Sequence, residues 1–344
     1  MDILAILNTI QANASQTYQD RIPVATRTNL EQIRYAMIDD DNLMVANEFM
    51  ATLLNKIVKS VVHSKRFSNP LKSLKKGKKP VGDGIEEIYT NFLKGQEHKP
   101  DGGATALMQR HLPDVNTVYH RMNYKMQYPV TVDRDRLSKA FASYDALESF
   151  INGIIAALYN SAELDEFANF KQLIASALEK KAVKVVEIPD PLTSQANAQA
   201  FIKSVKTVST MMTFPSDQWN GYLTAQKTDE VPITTFSRKD EQVLILDAAT
   251  DIGVSVDVLA ATFNMSVADF NDTRKIIIDA WPVAGVRAAL LDEAFFQVYD
   301  DLFTVTSWNN PQALYTNYYL NVWQTLAYSI LVNGVVFQVP QTAG

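Results

Sequence analysis

Nothing in this chain restricts its fold more than the stretch from Tyr144 to Lys181. Leu147, Phe150, Ile151, Ile154, Ile155, Leu158 and Ala162, then Phe167, Phe170, Ile174, Ala177 and Leu178, keep the three-and-four-residue rhythm of one helical face. Asp145 with Glu148 three residues later has the spacing of a capping box, and Tyr144 is placed to staple it. Lys180 and Lys181 put cations where the helix dipole favours them. Read as one helix to Lys181, the segment is about 55 Å long at 1.5 Å per residue. Helices of globular proteins average about a dozen residues. This one reads as a spine, with Gly153 as a place to bend.

The second unusual stretch is electrostatic. Between Lys56 and Lys79 lie nine Lys or Arg residues and no Asp or Glu. The chain then turns at Gly82-Asp83-Gly84 into a strand-like segment, IEEIYT (85–90). Too few of these side chains are apolar to make a core, so the stretch reads as a charged arm that leaves a globular body and lies on something else. The net charge of −6 is uneven. Residues 1–181 hold 23 basic and 21 acidic side chains, a net of +2; residues 182–344 hold 9 and 17, a net of −8. Opposite charge on two parts of one chain suits self-association. A solvated basic loop and a phosphate-binding run remain open as readings of the lysines. The acidic second half argues against nucleic-acid binding over the whole surface.

With 344 residues the chain exceeds the usual single domain, and 47% apolar content allows sizeable cores. Zero cysteines exclude disulfides, thiolate nucleophiles and sulfur-ligated metals. The apolar run 326–339 is broken by Ser329, Asn333 and Gly334, short of the ~18 residues that span a bilayer, so no membrane partner is expected. The start, MDILAILNTIQ, lacks a basic region before its apolar residues and does not read as a secretion signal.

Helical spacing is evident at 3–12 and 43–62. Beyond Phe67, Gly and Pro punctuate the chain as far as Pro113. Two strand-like runs flank that zone, 85–92 and 115–132. The second places Val118, His120, Met122, Tyr124, Met126 and Tyr128 on one face at period two. Together they predict a long two-stranded excursion, and a lone hairpin is marginal in water, so a partner surface is expected to hold it. Further on, 183–189 reads as strand and 197–212 as helix. Strands are expected at 242–247, 274–279, 286–292, 294–308 and 334–339, and an aromatic helix-like run at 314–330. The alternation predicts an α+β or α/β body.

Chemistry is hard to find. The four histidines fall between residues 63 and 120 without metal-site spacing and read as neutral loop residues. Asp292-Glu293 and Asp300-Asp301 are adjacent pairs whose side chains point apart, which suits solvation better than shared acid–base work. No phosphate-cradling glycine loop and no G-x-S-x-G elbow occurs. Residues 256–272 look like a helix-turn-helix, but Asp269 and Asp272 would repel phosphates, so a packed helical pair is the better reading. Trp308, Tyr315, Tyr318, Tyr319, Trp323 and Tyr328 form an aromatic cluster that suits packing or a subunit contact better than a ligand platform. No catalytic, cofactor-binding or metal-ligating residue is nominated, and no enzyme is expected.

Four segments, 68–90 (SNPLKSLKKGKKPVGDGIEEIYT), 150–167 (FINGIIAALYNSAELDEF), 257–270 (DVLAATFNMSVADF) and 310–327 (NPQALYTNYYLNVWQTLA), resemble in order the major capsid protein of small short-tailed phages of the phi-29 group. The resemblance implies an α+β, Hong Kong-97-type capsid fold. Residues 1–65 would be the N-terminal arm and its helix, 66–132 the extended loop, 133–189 the peripheral domain with the spine helix, 190–290 the axial domain and 291–344 the return to the peripheral domain. The group's namesake continues into an immunoglobulin-like domain that this sequence does not reach. Copies would form hexamers and pentamers of a phage head, icosahedral or prolate, assembled in the host cytoplasm. Scaffolding protein, a portal or connector at one vertex and packaged double-stranded DNA would be the partners. Lys72, Lys75, Lys76, Lys78 and Lys79 would meet acidic residues of a neighbour such as Asp292, Glu293, Asp300 and Asp301, and Glu86 and Glu87 would also lie at the contact between copies. An encapsulin-like compartment shell is the alternative on the same fold; a soluble enzyme or DNA-binding regulator is more distant.

Overall fold

The computed structural model describes residues 3–38, 43–60, 67–79, 84–93, 95, 110–225, 231–254 and 274–340. The segment read as a helix-turn-helix, 256–272, lies outside them. Two compact units emerge, each discontinuous in sequence: residues 1–69, 123–168 and 300–324, and residues 70–122, 169–299 and 325–344.

In the first unit the apolar rhythm of the N-terminus becomes helix α1 (Ile3–Asn13), which buries Ile3, Ile6, Leu7 and Ile10. Helices α2 (Gln16–Arg21) and α3 (Leu30–Ile38) follow, neither evident from spacing alone. Helix α4 (Leu43–Ser60) buries Val45, Phe49, Met50 and Leu53. These residues join Leu137, Phe141, Leu147, Ile151, Leu158, Tyr318, Leu320 and Val322 in one core. Phe49 meets Phe141 edge-on with ring centroids 5.5 Å apart.

Short helix α5 (Arg134–Ala140) leads into the spine, α6 (Tyr144–Glu179), 36 residues without interruption. Its start is set differently from the expected capping box. Ser143 precedes the helix and its Oγ accepts from the amide of Ala146 at 3.2 Å, so Asp145 lies within the first turn. Ser is a stronger cap than the sequence spacing credited, because its short hydroxyl reaches the third helical amide. The far end closes with Lys181 in the left-handed region (φ 56°). The Lys181 amide bonds the Leu178 carbonyl and the Ala182 amide the Ala177 carbonyl, the paired bonds of a Schellman cap.

Strand β4 (Tyr124–Asp133) pairs antiparallel with β10 (Tyr315–Tyr328), Tyr315 opposite Asp133 and Gln324 opposite Tyr124. With β1 (Gly77–Lys78) and β9 (Phe296–Asn310) they form a sheet ordered β1-β9-β10-β4. Two expectations are corrected here. The run 314–330 is not a helix but, over Tyr315–Tyr328, a strand: Thr316, Tyr318, Leu320, Val322 and Gln324 are buried in strict alternation. The period-two run 115–132 is two strands, broken at Met122-Asn123. Strand β3 (Val115–Arg121) pairs with β2 (Gly84–Thr90), whereas β4 belongs to the other sheet.

The second unit is built on a mixed sheet ordered β5-β11-β8-β6-β7. Its strands are β5 (Lys184–Glu187), β6 (Gln242–Asp247), β7 (Arg274–Ile278), β8 (Val286–Asp292) and β11 (Gly334–Gln338). Every residue of β6 is buried, which is why QVLILD reads as a continuous rather than alternating apolar run. Helix α7 (Gln195–Met211) lays Ala198, Phe201, Ile202, Val205 and Val208 on one face of this sheet, against Leu244, Leu246, Ala288, Leu290, Val335 and Phe337. Among the described residues no helix is long and apolar enough to cross a membrane.

Candidate functional site

The described part of the basic run is not a free arm. Pro70–Leu74 winds into a 3-10 turn that buries Leu71 and Leu74. In a 3-10 helix residues three apart eclipse, so both leucines point the same way and anchor the run. The Lys76 amide then bonds the Val298 carbonyl at 2.9 Å, and its ammonium donates to the Glu293 carbonyl at 3.1 Å. Lys72, Lys76 and Lys78 are exposed, Lys75 and Lys79 half-buried. Two well-spaced leucines, obscured by a mostly charged composition, hold this part of the run on its own chain.

The β2–β3 hairpin has two unlike faces, since side chains alternate along a strand. Glu86, Ile88, Thr90, Val115, Thr117 and Tyr119 are exposed; Ile88 is 59%, Val115 48% and Tyr119 66% accessible. The Tyr119 hydroxyl donates to Glu86 at 2.9 Å across the strands. The opposite face carries Glu87, Tyr89, Asn116 and His120, and it binds the chain itself. His120 Nε2 lies 3.0 Å from Glu87 Oε2, and the Ser329 hydroxyl donates to Glu87 Oε1. Tyr89 donates to the Thr234 carbonyl. Tyr222 donates to Asn116 Oδ1 at 2.7 Å. Asn91, just past β2, donates to the Pro232 carbonyl at 2.9 Å and accepts from the Thr234 amide at 3.2 Å. Phe92 stacks on Phe236.

His120 is therefore a buried strand residue with a carboxylate partner, not a loop histidine. His111 is exposed; His63 and His98 lie outside the described residues. No spacing rule could have found the Glu87–His120 pair, because it depends on the register that sets Ile85 opposite His120.

The acidic candidates separate. Asp292 is buried, its two oxygens taken by the Ser237 hydroxyl and by the Ala294 amide at 2.8 Å. Burial pushes its carboxyl above the ordinary range; the bonds from Ser237 and Ala294 pull down, and Glu241 and Glu293 push up. Asp292 is an interior structural group, so the expectation that it meets a neighbour's lysines is corrected. Glu293, next in sequence, is exposed, while Asp300 and Asp301 are half-buried. Asp300 accepts from Gln324 Nε2 at 3.0 Å.

One constellation escaped the sequence. Buried Glu166 on α6 accepts from Asn69 Nδ2 at 3.2 Å and from Gln324 Nε2 at 2.8 Å, tying the root of the basic run, the spine and β10 together. In the aromatic cluster, Tyr318 is buried, Trp308 is 73% accessible, and the Lys125 ammonium sits 4.7 Å from the centre of the Trp323 ring. Among the described residues no group of three or more His, Cys, Asp or Glu side chains could hold a metal.

The Phi29-like phage major capsid protein family matches residues 7–338. The major capsid protein of Bacillus phage PZA is 34% identical over 336 residues, 96% of this chain and 72% of that protein. That of Streptococcus phage Cp-1 is 25% identical over 287 residues, 80% of this chain and 74% of that protein. Among solved structures, the capsid of Staphylococcus phage Andhra superposes with a TM-score of 0.64 at 12% identity, over 83% of this chain and 88% of that one. The capsid of cyanophage P-SCSP1u superposes with a TM-score of 0.53 at 9% identity, over 82% and 91%. At such identities these structures speak to the fold alone, an α+β capsid fold of the Hong Kong-97 type. The family match favours a phage shell over an encapsulin-like compartment, a soluble enzyme or a DNA-binding regulator.

Proposed function

The chain belongs to the Phi29-like phage major capsid protein family, and on that footing we propose that its copies close as hexamers and pentamers into a head around double-stranded DNA. The observation that carries this reading is the family match over residues 7–338, on a chain with a capsid-type fold. Its role is structural, in the virion capsid. In the proposal residues 1–65 act as arm and helix, 66–132 as extended loop, 133–189 with 291–344 as peripheral domain, and 190–290 as axial domain. A scaffolding protein guides closure in the host cytoplasm, a portal occupies one vertex, and DNA lies against the shell without sequence-specific contacts.

Each loop lies over a neighbouring copy. The surface offered to it comprises Lys72, Lys75, Lys78, Lys79 and Glu86, together with the apolar patch of Ile88, Val115 and Tyr119. Opposite them in the neighbour stand acids such as Glu293 and Asp301. An exposed ion pair supplies only ~0–1 kcal/mol, so cohesion comes from repetition and apolar burial. Contacts this weak also let misplaced copies leave, which suits a closed shell.

The test is negative-stain electron microscopy of the chain expressed alone and with its scaffolding partner. Closed shells with rings of six and five are expected. A dispersed monomer in both conditions would refute the proposal. Changing Lys72, Lys75, Lys78 and Lys79 together to Glu should abolish shells while the circular dichroism of the subunit persists; normal shells from that variant would refute the charge contact.

A further inference from the structure

We infer that the pose of the β2–β3 hairpin is set by its own chain, through a polar latch centred on Glu87, before a second copy is met. A two-stranded hairpin alone is marginal in water, so something must hold it. The two faces say what does. The outer face carries the Tyr119–Glu86 bond and leaves Ile88, Val115 and Tyr119 accessible. The inner face is fastened at both ends of the hairpin.

At the root, the two Glu87 oxygens are divided between His120, on the facing strand, and Ser329. His120 is 7% accessible. Ser329 is fully buried and its amide donates to the Phe295 carbonyl at 2.8 Å, so the anchor is itself fixed. Farther along, Tyr89, Asn91 and Asn116 bind Thr234, Pro232 and Tyr222. That receiving segment is also immobilised. Thr235 and Ser216 exchange backbone bonds of 2.9 and 3.0 Å, and Asn220 donates to the Ile233 carbonyl at 3.0 Å. Within the paired strands Glu87 joins β2, β3 and the body at the root; Asn91, bonded to Asp114 and to the Pro232 carbonyl, does the same beyond the far end.

The consequence for assembly rests on the shell reading above. A hairpin ordered in advance brings its apolar outer face to a neighbour without the entropy loss of ordering a loop at contact. The latch itself is independent of that reading and can be tested on the unassembled chain.

Two variants break it differently. Glu87→Gln removes the charge and turns one of two acceptors into a donor; Ser329→Ala removes the anchoring hydroxyl. Hydrogen–deuterium exchange of the full-length unassembled chain is the readout. In both variants the amides of 84–90 and 115–121 should exchange about tenfold faster or more, with 286–292 and 334–338 unchanged, as expected of local rather than global opening. Hairpin exchange within about twofold of wild type would overturn the inference. So would an equal acceleration in the two core strands, because the change would then be global. Failure of the wild-type chain to form shells would strike the capsid reading instead and leave the exchange result standing.

Discussion

Glu166→Ala offers a sharp test of how the root of the basic run is held. Glu166 is buried and accepts from the amides of Asn69 and Gln324, 3.2 and 2.8 Å away. Removing the carboxylate leaves one N–H of each without that acceptor. A buried donor left unsatisfied costs about 1–3 kcal/mol, so the expected loss is about 2–6 kcal/mol. The lower part of that range is favoured, because the variant also escapes the cost of burying a charge. Against a total stability of about 5–15 kcal/mol the effect is large. Glu166→Gln is the graded control. It keeps one acceptor and sets a donor against the second amide, so about 1–3 kcal/mol should go. Urea unfolding of the unassembled chain, followed by circular dichroism, measures both. The expected order of stability is wild type, then Gln, then Ala. Two variants within about 0.5 kcal/mol of wild type, the range of ordinary surface substitutions, would refute the reasoning.

Asp292 makes a pH prediction whose sign follows from burial. Its folded carboxyl holds its proton more tightly than the unfolded one. Its contribution to stability is therefore full below the ordinary carboxylate range and lost as pH rises through the raised folded value. Asp292→Asn should flatten that part of a melting-temperature profile, whereas Asp292→Ala strands the buried Ser237 hydroxyl and should cost about 1–3 kcal/mol at every pH. A profile for Asn parallel to wild type would contradict this. At the end of the spine, Lys181 holds a left-handed conformation that glycine adopts without penalty. Lys181→Gly should stabilise the chain by up to ~1 kcal/mol, and a lowered unfolding midpoint would show that the Schellman cap is not limiting.

Much of the secondary structure was legible from neighbouring residues, because periodicity is a local property. The spine from Tyr144 to Glu179 kept its rhythm for ten turns, more than chance supplies. The strands at 242–247 and 286–292 matched apolar runs too short and too β-branched or aliphatic to be long helices. Where two periods coincided, local reading failed. Leu314, Tyr318, Val322 and Leu326 satisfy a helical face, yet Tyr318, Leu320 and Val322 equally satisfy a strand, and only the ladder with β4 selected the second. The break at Met122-Asn123 was invisible for a related reason: alternation continued through it while the strand changed partners.

The candidate contact surface divided along the same line. The Lys run, the order of the family's segments and hence the capsid identity were properties of the sequence itself. Which charges face outward was not. Asp292 and Glu293 are adjacent and alike in type, but one closes strand β8 and is enclosed while the other opens the turn after it and is exposed. Glu87 and His120 are 33 residues apart, Glu87 and Ser329 242 apart, and Asn69 and Gln324 reach Glu166 from separations of 97 and 158. A side chain's neighbours across such distances are fixed by register and packing, so only the tertiary structure could turn a run of charges into anchored, latched and exposed residues.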